Sequence, residues 1–439
     1  MSRTLPHALT GIVVTVRRRS KMVSLVAGIV VVFVLVVVGG VAVVQKITHT
    51  GGGAGSDVSL PQVTLPAKNS VDPFFGPNAA WNLPASRLGR STALSPYVEH
   101  WWNYASRLWW DNPSQRGQVV TSFRDYSIPI YDARDSTGKV KIVTSAHGFG
   151  SVLPADGLVP WNDAWQPAIG NDQSMLIIDP DTGRDYELWL VQKANFSDCL
   201  GNGWRPGNLC VGSAFLIPDA QGRPADYRKY EGGFMARGMG LQKLALITRA
   251  DEVASGSIRH ALGMIMFGTM FGPECTASQR STPAAGTTCG FYVDPATRLE
   301  WTDGPSPCGQ RTMTATSQDR SKTVPEGMRF ALDISDGDIA KWLDSRGYQG
   351  ALRETARVFA VALRDYGWIV ADTSCSHAGI ETEGTINPVA HAKWKQLGIP
   401  EGKASESLLQ GLITEQRMYV VNPPSQPTPA STKLAPGVK

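Results

Sequence analysis

Four polar side chains are the candidates for catalysis in this sequence, and they are His260, Asp172, Glu187 and Arg298. His260 directly precedes an apolar run, and histidine, with a pKa of about 6.5, is suited to general acid or base catalysis. Asp172 and Glu187 are expected on neighbouring strands, where two carboxyls roughly 5–10 Å apart would serve glycoside hydrolysis. Arg298 would hold a carboxylate, for example on an acidic sugar. The alternative interpretations are structural: a hydrogen-bonded histidine at a sheet edge, a surface carboxylate pair and a salt bridge.

Tryptophan is the second source of candidate binding residues, since the chain contains 13 of them. Four fall in one short segment, and they are Trp101, Trp102, Trp109 and Trp110. On a helix Trp102 and Trp109 would share a face, and exposed indole rings there would stack on sugar rings. Core packing is the alternative, because aromatic side chains bury a large area.

Two further groups of acids receive structural interpretations. Asp179, Asp181 and Asp185 alternate as calcium ligands do, but Asp-Pro-Asp-Thr-Gly is also ordinary turn chemistry, and we favour the turn. Glu381 and Glu383 are interpreted as part of a solvated loop. The sequence predicts no metal site and no cofactor, since it contains no C-x-x-C, P-loop, G-x-S-x-G or H-E-x-x-H motif.

Six cysteines indicate an exported protein with disulfide bonds. Cys199 and Cys210 bracket one Gly-rich loop and Cys275 and Cys289 bracket another, so each pair is expected to join. Cys308 would then pair with Cys375. Other connectivities stay open, because this assignment uses loop closure alone.

The N-terminal residues predict a membrane anchor. Residues 22–44 are apolar and uncharged, and about 20 such residues span a bilayer as a helix. The basic residues Arg17, Arg18, Arg19 and Lys21 precede this helix, which places segment 1–21 in the cytoplasm and the main domain outside the cell membrane. A cleaved signal peptide is the alternative.

The remaining chain is expected to form one extracytoplasmic domain. A Gly/Ser/Thr/Pro-rich linker at 45–70 precedes the domain at 71–422, and a Pro-rich disordered tail follows at 423–439. The net charge is only +4 with 18% charged residues, so nucleic acid is excluded as a partner. The expected partners are membrane lipid, through the N-terminal helix, and polysaccharide.

The apolar pattern predicts a mainly β fold with a few peripheral helices. Runs at 175–178 and 186–191 flank turn residues and indicate a hairpin. Shorter strands are expected at 140–144, 212–217, 263–268 and 368–371. Helices are expected at 97–110, at 351–366, where an apolar face recurs and Gly367 follows, and at 387–397, where Asn387 caps Pro388.

Four stretches carry a resemblance to a known family: IGNDQSMLIIDPDTGRDYELW (169–189), MARGMGLQKLALITRADEVASGSIRHAL (235–262), FYVDPATRLEWTDG (291–304) and PEGMRFALDIS (325–335) with RVFAVALRDYGWIVADTS (357–374). Their order and spacing resemble a widespread, largely uncharacterised family of secreted actinobacterial proteins. The resemblance covers most of residues 120–400. It implies a β-sandwich of jelly-roll type and an action on, or binding to, polysaccharide.

The chain departs from that family's pattern at polar positions. Ser174 stands where members commonly carry His, Arg237 where they often carry an acid, and Gln242 where they carry Pro. His260 and Arg298 are retained. A family activity that used the lost groups would leave this chain inactive or able only to bind.

Two hypotheses follow for function. The first is a membrane-anchored cell-surface protein that binds or processes polysaccharide of the envelope or environment, as a hydrolase or lyase if it is an enzyme. The alternative is a non-catalytic envelope protein that contacts another surface protein. A concave site with converging acids, histidine and arginine favours the first, and a flat apolar patch favours the second.

Overall fold

The computed structural model describes residues 74–76, 78–106, 116–145, 151–192, 197–217, 237–280, 288–306, 316–375 and 377–424. The chain divides into two units, Met1–Gln62 and Val63–Lys439, and every described residue belongs to the second. The predicted anchor at 22–44, the linker at 45–70 and residues 425–439 of the tail lie outside the described residues. Within the described stretches, no helix is long and apolar enough to cross a bilayer.

Thirteen strands of the described residues form three sheets. In chain order they are β1 (Val119–Ser122), β2 (Ile130–Asp132), β3 (Gly138–Thr144), β4 (Leu158–Trp161), β5 (Met175–Asp179), β6 (Arg184–Trp189), β7 (Asn208–Val211), β8 (Ser213–Ile217), β9 (Leu262–Met266), β10 (Arg329–Leu332), β11 (Trp368–Thr373), β12 (Ala378–Glu381) and β13 (Met418–Val420).

The helices are mostly short. In chain order they are α1 (Ala85–Leu88), α2 (Tyr97–Tyr104), α3 (Ser197–Leu200), α4 (Ala250–Ala254), α5 (Ala277–Arg280), α6 (Ser317–Arg320), α7 (Asp336–Ser345), α8 (Gly350–Asp365) and α9 (Pro388–Gln396). Short 3-10 turns occur at Ala80–Asn82, Ala133–Asp135, Lys243–Ala245, Gly402–Ser407 and Glu415–Arg417.

The largest sheet has the strand order β1-β12-β9-β11-β10-β13, and the others have the orders β2-β5-β6-β8 and β4-β3-β7. The mainly β prediction is confirmed. The finer prediction of a jelly roll is not shown by this topology. The pairs β1–β12, β9–β11, β2–β5 and β3–β7 are parallel, whereas a jelly roll packs two antiparallel sheets.

The predicted helices with strong local signals are confirmed. Helix α8 carries its apolar residues at the spacing of one helix face and ends before Gly367, whose φ of 73° is the left-handed conformation that glycine adopts freely. Helix α9 begins at Pro388, and the Asn387 side chain accepts a hydrogen bond from the amide of Val389. Helix α2 ends at Tyr104, earlier than the predicted 110, and residues 107–110 lie outside the described residues.

The predicted hairpin is also confirmed. Strands β5 and β6 pair antiparallel, with Met175 opposite Leu188. In the turn between them, Asp179 accepts hydrogen bonds from the amide and hydroxyl of Thr182, and Gly183 has a φ of 74°. These are the contacts of a turn, and they agree with the interpretation of the Asp-Pro-Asp-Thr-Gly stretch as turn chemistry.

The main core lies between helix α8 and the six-stranded sheet. Phe359 and Leu363 of α8 pack there with Trp368 of β11 and Phe330 of β10. The core also contains Trp101, which is 0% exposed and contacts the rings of both Phe330 and Trp368. The prediction of Trp101 as a substrate-binding residue is therefore wrong, because its ring faces are covered by the protein.

The other predicted tryptophans separate from one another. Trp102 is half-buried and packs against the edge of the same core, close to Gly117. Trp109 and Trp110 lie outside the described residues. A four-tryptophan groove for sugar is thus not formed by this segment, since one of its members is fully inside the core.

Two of the expected disulfides are present. Cys199 bonds to Cys210 and Cys275 to Cys289. Cys375 is also disulfide-bonded, and Cys308 lies outside the described residues. The bonded cysteines favour an oxidising compartment for this unit.

Candidate functional site

Charged side chains from two sheets meet in the interior of the unit and form what we call the carboxylate cluster. Strands β6, β11 and β12 contribute to it, together with the loops before β9 and β10. It has six acids and three bases, namely Asp185, Glu187, Glu300, Glu326, Asp372 and Glu381 with Arg237, Lys243 and Arg298. Charges so seldom lie inside a protein without a structural or functional cause that this cluster is the leading candidate site.

Arg237 is the centre of the cluster and is 0% exposed. Its Nη1 donates to Glu381 and, at 3.1 Å, to Oδ2 of Asp372. Its Nη2 donates to the carbonyl oxygen of Lys243 at 3.1 Å. Burial works against the charge of Arg237, but Glu381 and Asp372 outweigh it and raise its pKa. The guanidinium therefore joins the ends of β11 and β12 to the loop that precedes β9.

Asp372 is held from two further sides. Its Oδ1 accepts the amide of Gly238 at 2.6 Å, and Nζ of Lys243 lies 3.9 Å from its Oδ2. Strand β11 has a register irregularity between Val370 and Asp372, and a bulge of this kind redirects the side chain that follows it. Burial raises the pKa of Asp372, and the charges of Lys243 and Arg237 oppose that rise.

Glu300 and Glu326 form a carboxyl pair beside Asp372. The amide of Glu300 donates to Oε2 of Glu326 at 2.9 Å, and Oε2 of Glu300 accepts the amide of Thr373 at 2.9 Å. Burial and the charge of Asp372 raise the pKa of Glu300 to about 7. Burial and the neighbouring Glu300 raise the pKa of Glu326 well above its usual range. Burial and neighbouring carboxyls therefore favour the protonated form of both residues.

A second carboxyl pair lies at the inner end of the cluster. Asp185 and Glu187 are two residues apart on β6 and so share a face of the strand, and both are 0% exposed. Oε1 of Glu187 accepts the amide of Leu244 at 3.0 Å. Burial, together with Glu187, raises the pKa of Asp185 well above its usual range, and burial also raises the pKa of Glu187.

Some described side chains of the cluster and beside it are accessible to solvent, and we call this part its open end. There Arg298, Glu300 and Asp372 are half-buried and Asp172 is exposed. The charge of Asp172 contributes to the raised pKa of Glu300, after burial and the charge of Asp372. The open end is therefore the part of the cluster that a solute could contact.

Arg298 donates hydrogen bonds to the main chain beside Asp372. Its Nε donates to the carbonyl oxygen of Gly238 at 2.7 Å, and its Nη2 donates to that of Arg237 at 3.0 Å. These bonds fix the loop whose amide holds Asp372. Burial lowers the pKa of Arg298 from its ordinary value. The guanidinium thus positions main chain, and its contact with an acidic sugar stays a prediction.

His260 lies in a separate group of side chains at helix α4. It is 4% exposed, and its Nε2 lies 3.3 Å from Oε2 of Glu252. Oε1 of Glu252 accepts Nη2 of Arg249 at 2.7 Å. Burial works against ionisation of Glu252, but Arg249 and His260 outweigh it and lower its pKa to about 2.

The four predicted catalytic residues are therefore only partly brought together. Asp172 and Arg298 border the open end of the cluster, whereas Glu187 belongs to its closed inner end, out of reach of a polymer. No hydrogen bond or ion pair between described side chains joins His260 to the other three residues. The proposed role of His260 as their acid or base fails for this reason, and its alternative as a hydrogen-bonded buried histidine fits the contacts.

Sequence reasoning missed the acids that matter most at the open end, Glu300 and Asp372. Both lie in the stretches that carry the family resemblance, which was the available signal. The interpretation of Glu381 and Glu383 as a solvated loop is wrong. Glu381 ends strand β12 and is buried against Arg237, and Glu383 accepts the amide of Ala250 at 3.0 Å.

A surface cleft of about 440 Å³ lies elsewhere and shares no residue with the cluster. Its arginines are paired, Arg90 with Asp333 at 2.7 Å and Arg364 with Asp365 at 2.7 Å. The guanidinium of Arg90 also covers the ring of Tyr419. Because its charges and its aromatic face are already used within the protein, this cleft has weaker claims as a site than the carboxylate cluster.

No family model, curated protein or solved structure matches this chain. The resemblance to secreted actinobacterial proteins therefore stays a prediction, and the case for function depends on the geometry of the site.

Proposed function

We propose that this chain is a membrane-anchored cell-surface protein that binds polysaccharide and processes it by acid–base chemistry at the open end of the carboxylate cluster. The observation that supports this most is the arrangement of Glu300, Asp372 and Asp172. These three carboxyls come from distant parts of the chain. Glu300 and Asp372 accept main-chain amides, Asp172 is exposed, and the charges of Asp372 and Asp172 both act on Glu300.

Glu300 is the proposed general acid. It is held by the amide of Thr373 and keeps its proton near neutral pH because it is half-buried beside Asp372. Cleavage of a glycosidic bond needs such an acid to protonate the leaving oxygen. Asp172, the exposed carboxylate of the open end, is the proposed base or stabilising carboxylate. Asp372 and Glu326 then act on Glu300 by keeping it protonated.

Arg237 holds the acids of the cluster together in this proposal. Where relatives are expected to carry an acid, this chain places a buried guanidinium on Asp372 and Glu381. Six acids gathered in this cluster, four of them buried, would repel one another strongly without Arg237 and Lys243. The arginine at position 237 is therefore balanced by the acids around it. Its presence leaves Glu300 and Asp172 in place.

The location is proposed on two grounds. The apolar segment 22–44 follows basic residues, and the disulfide bonds favour an extracytoplasmic compartment. Polysaccharide is the large polymer that a cell-surface protein meets at the envelope. An exposed carboxylate site on a tethered unit suits such a substrate.

The full-length chain, reconstituted in lipid nanodiscs, should be incubated with a panel of envelope and environmental polysaccharides. New reducing ends would show hydrolysis, and ultraviolet absorbance of an unsaturated product would show elimination. We expect one of these products from at least one polysaccharide. If no polysaccharide is bound or changed, the proposal is wrong.

A further inference from the structure

The surface beside the open end carries an exposed aromatic ring. Tyr126 is 46% exposed and is the aromatic residue among the exposed large apolar side chains of the described residues, which also include Val152, Leu200 and Val389. Its amide donates to the carbonyl oxygen of Ile169 at 2.7 Å, so its backbone is tied to the segment that leads to Asp172. The residue is therefore tied to the segment that carries Asp172, and its ring is open to solvent.

The ring of Tyr126 packs on Gly170. A Cβ on Gly170 would come within 2.6 Å of Cε1 of Tyr126, so only glycine allows the ring to lie there. Gly170 has a φ of 127° and stands two residues before Asp172. One side of the ring thus packs on main chain, while the remainder is presented outward as a flat apolar surface.

Unusual backbone conformations occur around the contact between Tyr126 and Gly170. Tyr126, Gln173 and Leu190 have φ values of 60°, 42° and 50°, in the left-handed region that residues other than glycine seldom adopt. The amide of Leu190 donates to the carbonyl oxygen of Asp172 at 2.9 Å, and that of Val191 to Gln173 at 3.1 Å. Such conformations persist where the surrounding structure fixes them, and they are found at ligand sites.

The charges at the opening restrict the ligand. Asp172 is its exposed acid, with Glu300 and Asp372 half-buried. Arg298 donates to two main-chain carbonyls, and Arg124, two residues before Tyr126, lies 3.9 Å from Asp125. A uronate carboxylate would face the carboxylate of Asp172 there. An uncharged sugar ring, in contrast, places its C–H face on an aromatic ring without a charge penalty.

We propose that Tyr126 is a stacking subsite for an uncharged sugar residue of the polysaccharide, adjacent to the linkage at Asp172 and Glu300. This inference depends on the proposed function, of which it names the substrate class. The exposed ring and its contact with Gly170, which stands two residues before Asp172, support it. The site thereby discriminates against polymers of uronic acids.

Full-length protein in nanodiscs should be applied to an array of neutral and uronate-containing polysaccharides. Nanodiscs replace sugar-based detergents, which would compete for the ring. Tyr126→Ala is compared with wild type and with Tyr126→Phe, which keeps the ring. We expect binding to neutral glycans, weakened about tenfold in Tyr126→Ala and retained in Tyr126→Phe. Near-ultraviolet circular dichroism checks that both variants fold.

A second measurement does not depend on the folding of Tyr126→Ala. In wild type labelled with 3-fluorotyrosine, the Tyr126 resonance, identified by its loss in Tyr126→Phe, should shift when a bound neutral glycan is added. An unshifted resonance, equal binding by Tyr126→Ala, or binding of uronate polymers alone would overturn the subsite and leave the proposed function standing. Binding of no polysaccharide at all would overturn both.

Discussion

Glu300 is half-buried among other carboxyls, and its chemistry follows from those neighbours. Asp372 and Asp172 raise its pKa by their charge, and Glu326 accepts its amide. A carboxylic acid that keeps its proton near neutral pH is what protonation of a leaving group requires. At the scale of one residue, the account therefore depends on how burial and like charges hold a proton on Glu300.

The pH dependence of activity follows from this proton. Glu300 must be protonated to act as an acid, so activity should be retained below its pKa of about 7 and fall about tenfold per pH unit above it. Asp372→Asn removes a charge that raises this pKa, so the alkaline limb should move to lower pH. Initial rates on a cleaved polysaccharide between pH 5 and 9 measure this.

The matched control for this profile is Asp344→Asn. Asp344 is an exposed acid of helix α7 and pairs with Arg353 of helix α8, outside the carboxylate cluster. Its limb should coincide with that of wild type. An alkaline limb that stays in place in Asp372→Asn would show that Asp372 does not act on the titrating group.

Elements with local signals were predictable from the sequence, and the site was not. Helix α8, helix α9 and the β5–β6 hairpin are encoded by spacing, caps and turn residues that lie within each segment. The carboxylate cluster joins residues separated by up to about 200 positions through tertiary contacts. A buried arginine such as Arg237 cannot be distinguished from a surface one by local sequence.

Helix α4 gives a test at the scale of one element. Glu252 and Arg249 form its capping box, and Glu252 also contacts His260. Because the pKa of Glu252 is lowered to about 2, its contribution is present above the unfolded value of about 4.5 and is lost as pH falls through 2. This contribution amounts to about 3 kcal/mol of unfolding free energy at neutral pH.

Glu252→Gln should therefore be clearly less stable than wild type at pH 7, and the difference should shrink toward pH 2. Denaturant unfolding followed by tryptophan fluorescence at several pH values measures it. The control is Glu354→Gln, which removes an exposed helical ion pair worth well under 1 kcal/mol. A difference between Glu252→Gln and wild type that stays constant with pH would contradict the assigned pKa.

At the scale of the whole molecule, an anchor and a reactive site are proposed on one chain. The anchor follows from residues 22–44 and the basic residues before them, and the site from contacts among residues 172–381. The disulfide bonds Cys199–Cys210 and Cys275–Cys289 agree with an extracytoplasmic unit. The tether would keep the site within reach of envelope polymers.

Retention in the membrane is directly testable. The full chain should remain in the membrane pellet after a carbonate wash, because an uncleaved apolar helix of about 20 residues is not released by high pH. A variant with two apolar residues of the segment changed, Val32→Arg and Leu35→Arg, should move to the soluble fraction or fail to be exported. Recovery of a shortened, soluble wild-type product would instead indicate a cleaved signal peptide.

The central claim is that Glu300 acts on polysaccharide, and one comparison tests it most directly. Wild type, Glu300→Gln and Glu354→Gln, each folded and in nanodiscs, should be given the polysaccharide that wild type changes. The account predicts that the initial rate of Glu300→Gln falls by a factor on the order of 100 or more, while that of Glu354→Gln equals the wild-type rate. A Glu300→Gln protein that works at the wild-type rate would contradict it.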